Sequence, residues 1–283
     1  MKNPKVSIIT VVFNAERTIC DCLISVKNQR YKNIEHLIID GLSSDKTLSI
    51  IEDNIYDSIV LKSEADSGIY DALNKGILSA TGEIIGILHS DDFYSYPDVI
   101  DEVMEFFSDP SVDAVYGNLN YVSKEGDFDV IRHWNAAPTV KTSSMCCTEW
   151  ASMFGGWMPP HPTLFIRSSC YRKIGGFNTK YKIAADYDFI WRLFAQPKFK
   201  AIYLDAVMIN MRVGGISNRS IFYIIKKSSE DWQILRSLNL SFVLAVKILI
   251  YKNISKFHQF SNPLNLLRRR FLKKSKHIPP SHK

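Results

Sequence analysis

Two adjacent carboxylates, Asp91 and Asp92, follow the apolar, strand-length run Ile84–Leu88, separated from it only by His89 and Ser90. In open α/β sheets ligands bind at the carboxyl ends of strands, and carboxylate oxygens are the ligands that Mg²⁺ and Mn²⁺ prefer. The pair therefore predicts a site for a divalent cation and for the diphosphate group that such a cation binds. An aspartate pair in an ordinary loop would have the same sequence, so the pair alone leaves both interpretations open.

Three more apolar runs upstream also end in polar residues. They are Val6–Phe13, Ile34–Ile39 and Ser58–Leu61, and they lead to Asn14, to Asp40, and to Glu64 with Asp66. Near-continuous apolar runs are typical of parallel strands that are buried on both faces. Because parallel strands end at the same edge of a sheet, we expect these polar groups to lie near Asp91 and Asp92.

The intervals between these runs have the length and pattern of helices. Residues 16–28 and 67–79 place apolar side chains at helical spacing, and residues 45–54 follow Ser44, the expected N-cap. A repeated strand–helix–strand order indicates βαβ units with right-handed crossovers. The expected fold class is therefore α/β, with a mainly parallel sheet flanked by helices.

Two common phosphate-binding motifs are absent. The turn after the first strand, Asn14–Thr18, contains no glycine, so it does not match the G-x-G-x-x-G of dinucleotide-binding folds. The chain also has no G-x-x-x-x-G-K-[ST] segment. Because no glycine-rich loop is available to bind phosphates, a carboxylate-bound Mg²⁺ or Mn²⁺ is the simplest alternative.

Four segments carry the polar strand ends: Val6–Asn14, Ile38–Thr47, Ser63–Gly76 and His89–Asp92. In order and spacing they resemble the motifs of the family 2 inverting glycosyltransferases of GT-A fold, and the resemblance covers about residues 4–217. It is closest to bacterial enzymes that extend surface polysaccharides from nucleotide-sugar donors. The resemblance implies a Rossmann-like nucleotide-diphospho-sugar transferase fold.

The resemblance also implies roles for individual residues in donor binding. The first loop would line the nucleotide, two carboxylates would face the base, and a helix would lie beside the ribose and phosphates. In that order the residues are Phe13, Asn14 and Glu16; Asp40 and Asp66; and Asn74 with Lys75. Ser90-Asp91-Asp92 corresponds to the D-x-D motif, with Asp92 as the direct metal ligand and Asp91 nearer the ribose or sugar.

The same resemblance extends to a second-half segment that contains the expected catalytic base. His161 opens a short strand motif assigned to the donor site, and Asp186 matches the carboxylate that removes the acceptor hydroxyl proton. A helix N-terminus favours an ionised carboxylate, as a base requires. The alternative is that Asp186 only caps its helix. Asp188 is expected to be structural.

Three positions depart from the family pattern. Leu42 stands where glycine is usual, which is expected to alter only the shape of the loop. Asn118 stands where similar enzymes often have aspartate, so an acidic contact with the donor sugar is not expected there. Ala185 replaces the glutamate of the usual Glu-Asp pair.

Charge divides the chain into two parts. Residues 1–231 hold 24 Lys and Arg against 29 acidic residues, whereas residues 232–283 hold 11 Lys and Arg and no acidic residue. The apolar run Leu240–Tyr251 is too short to span a bilayer and is interrupted by Lys247. Together with the basic cluster 268–274, it predicts an interfacial helix on an anionic membrane surface. Packing of this run on the catalytic domain is the alternative.

These features predict a catalytic domain over 1–216 and a helical, basic, membrane-associating extension over 217–283. Within the domain, 1–118 would form the nucleotide-sugar half and 119–216 the acceptor and base half. Five cysteines without C-x-x-C spacing fit a reducing compartment, and no signal peptide is recognisable. The expected location is cytoplasmic and peripheral, on the inner face of the cell membrane.

The predicted function is transfer of a sugar from a nucleotide-diphosphate sugar, with UDP the default, to a glycan or lipid-linked acceptor. A sugar-nucleotide nucleotidyltransferase is the enzymatic alternative, but it usually has a glycine-rich, basic loop after the first strand. A non-catalytic sugar-nucleotide binder is a third reading, and retention of Asp92 and Asp186 argues against it. Nucleic acid is not an expected partner, because the basic tail lacks interleaved stacking aromatics.

Overall fold

The computed structural model describes residues 3–124, 126, 128–137, 158–214, 221–238 and 240–260. For 221–224, 251 and 253–260 it describes the backbone only. The strands are β1 (Val6–Val12), β2 (Ile34–Asp40), β3 (Ile59–Ser63), β4 (Ile84–Ile87), β5 (Asp92–Tyr94), β6 (Ala114–Val122), β7 (Val130–Trp134), β8 (Phe165–Arg167) and β9 (Ala201–Arg212). The helices are α1 (Ile19–Lys27), α2 (Thr47–Asp53), α3 (Ile69–Ser79), α4 (Val99–Phe106), α5 (Ser168–Ile174), α6 (Ala185–Phe194), α7 (Ile221–Ser237) and α8 (Phe242–Phe260).

All described strands belong to one mixed sheet with the order β3-β2-β1-β4-β8-β6-β9-β5, and β7 pairs with β6. The pairs β1–β2, β1–β4, β2–β3 and β6–β9 are parallel. The remaining pairs are antiparallel. The parallel first half confirms the predicted α/β class and brings the ends of β1, β2, β3 and β4 to one edge.

Helices cover both faces of the sheet because the central strands are apolar on both sides. Every residue of β1 is buried. Ile8 faces the layer that contains Ile19 of α1 and Ile51 of α2. Ile9 faces the opposite layer, which contains Leu73 of α3 together with residues of α5 and α6. The two layers are the two halves of the hydrophobic core.

Helix starts differ from the sequence prediction by a few residues. Contrary to the prediction, Ser44 does not cap α2. Its backbone N–H and hydroxyl bond to Asn14, and the helix begins only at Thr47. Asp45 Oδ1 accepts the N–H of Thr47 at 2.9 Å instead. Helix α3 starts after Gly68, whose φ of 124° lies in the region that favours glycine.

The two C-terminal helices share the core of the catalytic domain. Ile234 of α7 and Ala245 and Ile248 of α8 are fully buried in the same cluster as Trp191 of α6. The alternative prediction for residues 240–251 was that they pack against the rest of the protein. The buried face of α8 agrees with that alternative. The structure describes no helix that is both long enough and apolar enough to cross a membrane. The basic cluster 268–274 lies outside the described residues.

Candidate active site

The loops after β1 and β2 are held together by hydrogen bonds. Asn14, at a φ of 49°, accepts the N–H of Ser44 at 2.8 Å through Oδ1 and donates its own N–H to Ser43 Oγ at 2.9 Å. Glu16 Oε2 accepts the N–H of Lys46 at 3.1 Å. Asn14 and Glu16 therefore shape the strand-end loops, by which we mean residues 13–16, 40–47 and 63–68.

Asp40 organises the same loops from below. Its carboxylate is fully buried and accepts the hydroxyls of Ser43 at 2.5 Å and Ser63 at 2.6 Å, and also the N–H of Ser43. Both oxygens thus already bond within the protein. These bonds assign Asp40 a positioning role in the loops, and its predicted contact with a base stays a prediction.

Phe13 and Asp66 lie close together at this edge, with Phe13 exposed and Asp66 half-buried. The Phe13 ring is 63% exposed. A Cβ on Gly41 would lie 2.5 Å from Asp66 Oδ2 and 3.5 Å from the Phe13 ring, so the close approach requires glycine. An exposed aromatic ring beside a carboxylate can stack on a planar base and accept hydrogen bonds from its N–H groups.

Two predicted donor residues on α3 are engaged elsewhere. Asn74 accepts the N–H of Phe177 at 2.7 Å and donates to its carbonyl at 2.8 Å. Lys75 Nζ donates to the Ala65 carbonyl at 2.6 Å and lies 3.4 Å from Glu64. Asn74 thereby fastens α3 to the turn before α6, and its predicted place beside the ribose stays a prediction.

Asp91 and Asp92 lie at the start of β5, where Asp92 is 1% exposed and Asp91 is half-buried. Burial, together with the charge of Asp91, raises the pKa of Asp92 well above its usual value. Asp92 Oδ1 has no hydrogen-bond partner among the described residues. Behind the pair, Arg212 donates to the Asp91 carbonyl at 2.8 Å and is paired with Asp21.

A divalent cation fits this pair of carboxylates. A buried carboxylate oxygen without a partner beside a second, more accessible carboxylate leaves negative charge for a cation to neutralise. Within the described residues there is no cluster of three or more metal-binding side chains. Mg²⁺ usually takes only one or two carboxylates, and its remaining ligands are water and substrate phosphates. The accessibility of Asp91 makes it the easier of the two for a ligand to reach.

Asp186 lies in the first turn of α6. Its side chain is 26% exposed. The Tyr70 hydroxyl lies 3.2 Å from Oδ1 and 2.9 Å from the Ile183 carbonyl, which share its single proton, and His161 Nδ1 is 3.5 Å from Oδ2. Burial raises the pKa of Asp186, but His161, Lys227, Lys252 and the N–H of Tyr187 outweigh it, so the pKa lies below its usual value. Asp186 is therefore ionised at neutral pH.

A pair of imidazoles connects Asp186 to the strand that precedes the aspartate pair. His89 Nε2 and His161 Nε2 are 2.8 Å apart and share a hydrogen bond. Burial lowers the pKa of His161 to about 4 despite the nearby Asp186 carboxylate, so this ring is neutral at pH 7. The contact puts His161, predicted to bind the donor, beside the candidate base. The partnership with His89 was missed, although the position of His89 at the end of β4 was a usable signal.

Asp188 is paired within the protein, which is compatible with the predicted structural role. It is buried and lies 2.8 Å from Nε of Arg192, one turn further along α6. Arg192 donates in turn to the carbonyls of Ile174 at 2.8 Å and Gly176 at 2.7 Å. Asp188 therefore fixes the turn between α5 and α6 and points away from Asp186.

Two departures from the family pattern have clear structural settings. Leu42 has a φ of 63°, which explains why glycine suits this position. Asn118 is buried and donates to Asp205 at 3.1 Å, and its Oδ1 accepts the N–H of Ala136 and the hydroxyl of Tyr203. Asn118 is thus part of the internal hydrogen-bond network of the sheet.

Comparison with known proteins identifies the family. The model described as glycosyl transferase family 2 matches residues 7–189, and the chain belongs to this family. It is therefore a glycosyltransferase. A PGL/p-HBAD biosynthesis glycosyltransferase of Mycobacterium tuberculosis (strain ATCC 25177 / H37Ra) is 28% identical over 260 residues, which cover 88% of this chain and 90% of the relative.

Solved structures agree with this fold. TarS 1-349 of S. aureus, in complex with UDP-GlcNAc, superposes with a TM-score of 0.65 at 18% identity, over 92% of this chain and 74% of that one. This chain spans only 42% of the longer TarS structure. The mannosyltransferase PcManGT of Pyrobaculum calidifontis, in complex with GDP-Man and Mn²⁺, has a TM-score of 0.57 at 17% identity, over 99% and 82% of the two chains.

Proposed function

We propose that this glycosyltransferase moves a sugar from a UDP-linked donor to a hydroxyl of a glycan or lipid-linked acceptor, with inversion at the anomeric carbon, in the synthesis of a polysaccharide or glycoconjugate. The observation that carries the proposal is the Asp186 carboxylate, whose pKa lies below its usual value despite burial and which His161 links through His89 to the end of β4, just before Asp91 and Asp92. An ionised carboxylate facing a donor site is what a single displacement requires.

Asp186 removes the proton from the acceptor hydroxyl, and the oxygen attacks the anomeric carbon from the face opposite the leaving diphosphate. One displacement inverts the configuration, so no covalent sugar–enzyme intermediate is needed. Tyr70 and His161 keep the carboxylate in one orientation. Because both groups contact Asp186 through separate oxygens, they restrict its rotation and favour a ready geometry for attack.

The donor would bind across the strand-end loops. Phe13 offers a face for the base and Asp66 a hydrogen-bond acceptor, while Asn14, Glu16 and Asp40 hold the loops that carry them. The UDP-GlcNAc complex of the TarS structure supports a UDP-linked donor. The aspartate pair would receive the diphosphate.

Asp91 and Asp92 would hold Mg²⁺ or Mn²⁺ together with that diphosphate. The Mn²⁺ of the PcManGT complex supports this choice of cation. When bound, the cation supplies Lewis-acid stabilisation of the leaving phosphate oxygens. We keep Asp92 as a proposed ligand, and add Asp91 because its carboxylate is the more accessible of the two.

The acceptor side is proposed to face the inner surface of the cell membrane. Phe242, Val243 and Ile250 of α8 are each more than half exposed, and Lys247 is exposed among them. An exposed apolar and basic helix face suits the boundary of an anionic membrane. Deletion of residues 262–283 should move the protein from the membrane fraction to the soluble fraction in a salt-dependent way. Unchanged partition would rule out this segment as the anchor.

The decisive test of the function is a pair of substitutions on α6. Asp186→Asn should lower kcat at least ~10²-fold and leave donor Kd little changed, because the base acts on the acceptor proton. The matched Asp188→Asn should lower thermal stability and keep most of the turnover of the folded enzyme. Turnover is followed as UDP release from UDP-GlcNAc or UDP-glucose with Mn²⁺, and donor Kd by calorimetry. Near-normal turnover of Asp186→Asn would contradict the assignment of the base.

The same experiment addresses the rival functions. Family membership sets aside a nucleotidyltransferase, which leaves the non-catalytic sugar-nucleotide binder as the alternative. Such a binder would take up the donor with a measurable Kd and release no sugar to any acceptor. The proposal expects donor binding and Asp186-dependent turnover together.

A further inference from the structure

Helix α7 holds the backbone that leads into the candidate base. The buried carboxylate of Glu230 accepts the N–H groups of Lys182 at 3.1 Å, Ile183 at 2.9 Å and Ala184 at 2.9 Å. These residues immediately precede α6, whose second residue is Asp186. The C-terminal helices thus contact the site itself as well as the hydrophobic core.

Helix α8 adds a buried cation to the same region. Lys252 is 12% exposed, and its Nζ lies 2.7 Å from Asp231 Oδ1 on α7. The ammonium also lies 3.2 Å from the centroid of the Tyr187 ring, the residue directly after Asp186. The ion pair and the aromatic face together compensate for removing this charge from water.

The charged and titratable groups that act on Asp186 come from five parts of the chain, and His89 at the end of β4 is one of them. Tyr70 comes from α3 and His161 from the turn before β8, while Lys227 comes from α7 and Lys252 from α8, with Asp231 as the counter-charge of Lys252. Burial raises the pKa of Asp186, and the two ammonium groups are among the influences that lower it. Burial also lowers the pKa of Lys252 to about 8, although Asp231 opposes this, so the ammonium persists at neutral pH.

We propose that Lys252 is a positioning residue for Asp186, whose buried ammonium keeps the carboxylate in its ionised, reactive form. A buried ion pair is seldom more stabilising than apolar residues of the same volume. A methionine at position 252 would pack on Tyr187 and would need no counter-charge from Asp231. The reason for a charged residue at this position is therefore its electrostatic effect on Asp186. This inference rests on the proposed role of Asp186 as the base.

The test is the titration of Asp186 itself, which needs no knowledge of donor or acceptor. The carboxyl ¹³C resonance of Asp186, assigned by its loss in Asp186→Asn, is followed from pH 5 to 8. In the wild type it should stay constant, because the carboxylate is ionised throughout. In Lys252→Met it should begin to titrate towards pH 5. The exposed Lys226→Met, on helix α7, is the matched control and should behave like the wild type.

Turnover gives a second readout that a packing role alone would not move. UDP release by Lys252→Met should fall about 2- to 5-fold between pH 7.5 and pH 5, beyond any fall in the wild type, as the base becomes protonated. Donor Kd should not change. If Lys252→Met does not fold, Lys252→Gln replaces it, because its amide removes the charge and can still donate a hydrogen bond to Asp231.

A constant Asp186 resonance in the folded Lys252 variant, or equal changes in the Lys252 and Lys226 variants, would overturn the proposal. Failure of the proposed function has a different signature. In that case Asp186→Asn would retain turnover, whatever the titration of the carboxyl group in the Lys252 variant.

Discussion

The strand-end loops are held by contacts between residues close in the sequence, whereas the candidate base is held by contacts between residues far apart in the sequence. Asn14 bonds to Ser44, Asp40 to Ser43, and Asp66 to Gly68, all within the first 70 residues. Asp186 instead depends on Tyr70, far upstream, and on Glu230 and Lys252, far downstream. The comparison teaches that short motifs can describe the loops, whereas the environment of the base exists only when distant elements have packed.

The largest expected effect comes from removing the cation that is proposed to bind beside the strand-end loops. Excess EDTA should abolish turnover, and Asp91→Asn should reduce it by about 10²-fold or more, because the stabilisation supplied by the cation is worth several kcal/mol. The surface variant Asp98→Asn serves as the control. Full activity in excess chelator would contradict a metal-dependent reaction.

Asp92→Asn separates the metal from the fold. Because burial raises the pKa of Asp92, its ionised form destabilises the folded protein at pH 7. The variant should therefore melt at or above the wild-type temperature without metal. With added Mn²⁺ it should lose the stabilisation that the wild type gains. Equal Mn²⁺ stabilisation in both proteins would exclude Asp92 as a ligand.

Glu230→Gln should loosen the backbone that holds Asp186, which we call the base side, without affecting the strand-end loops. The amide would present an N–H₂ group where Oε2 now accepts the N–H groups of Ile183 and Ala184. We expect a loss of about 1–3 kcal/mol in the free energy of unfolding and a lower kcat, with donor Kd unchanged. Glu105→Gln, an exposed glutamate of α4, is the control. A change in donor Kd as large as that in kcat would contradict the separation of the two sides.

Acid should weaken the first half of the sheet through His36. This ring is fully buried between the hydroxyls of Thr10 at 2.9 Å and Tyr56 at 2.6 Å, and burial lowers its pKa to about 3. Because the folded pKa lies below the unfolded one, the stability is complete above about pH 6.5 and falls as the pH drops towards 3. The loss at pH 5 should be about 2 kcal/mol in urea unfolding. His36→Gln should flatten this pH dependence, and an unchanged slope would contradict it.

The smallest expected effect concerns donor affinity. Gly41→Ala places a Cβ 2.5 Å from Asp66 Oδ2, so Asp66 must move away from Phe13. Donor Kd should rise about 10-fold, equivalent to about 1.4 kcal/mol, while kcat at saturating donor stays the same. A fall in kcat at unchanged Kd would show that Gly41 serves the base side instead.

Sequence reasoning recovered the frame of the molecule. The runs that lead to Asn14, Asp40 and Asp91 are parallel strands within one or two residues of the predicted bounds, because burial on both faces leaves an unmistakable apolar pattern. The run before Asp66 is also a parallel strand, but as the edge strand β3 it has no buried residue, contrary to the expected burial on both faces. The expected structural role of Asp188 agrees with its pairing to Arg192. These features depend on local pattern or on residues one helical turn apart.

What the sequence could not supply was the set of long-range partners. Ser44 has the residue type of an N-cap, but tertiary contact with Asn14 removes it from the helix. Asn74 is predicted from the sequence to lie beside the ribose. Nothing in the sequence indicates that its amide bonds to Phe177, more than a hundred residues later in the chain. Glu230 and Lys252 carry no motif at all. Their roles arise only because α7 and α8 pack against α6.

The packing of α8 also bears on when the enzyme becomes competent during its synthesis. Chains grow at roughly 5–20 residues per second and fold from the N-terminal side first. The sheet edge with Asn14, Asp40 and Asp91 can therefore form while Lys252 has yet to be added, and several seconds separate Asp186 from it. A nascent chain would hold the parts for binding before the electrostatic setting of its base is complete. The base would have its complete set of neighbouring charges only when the last described helix has emerged and docked.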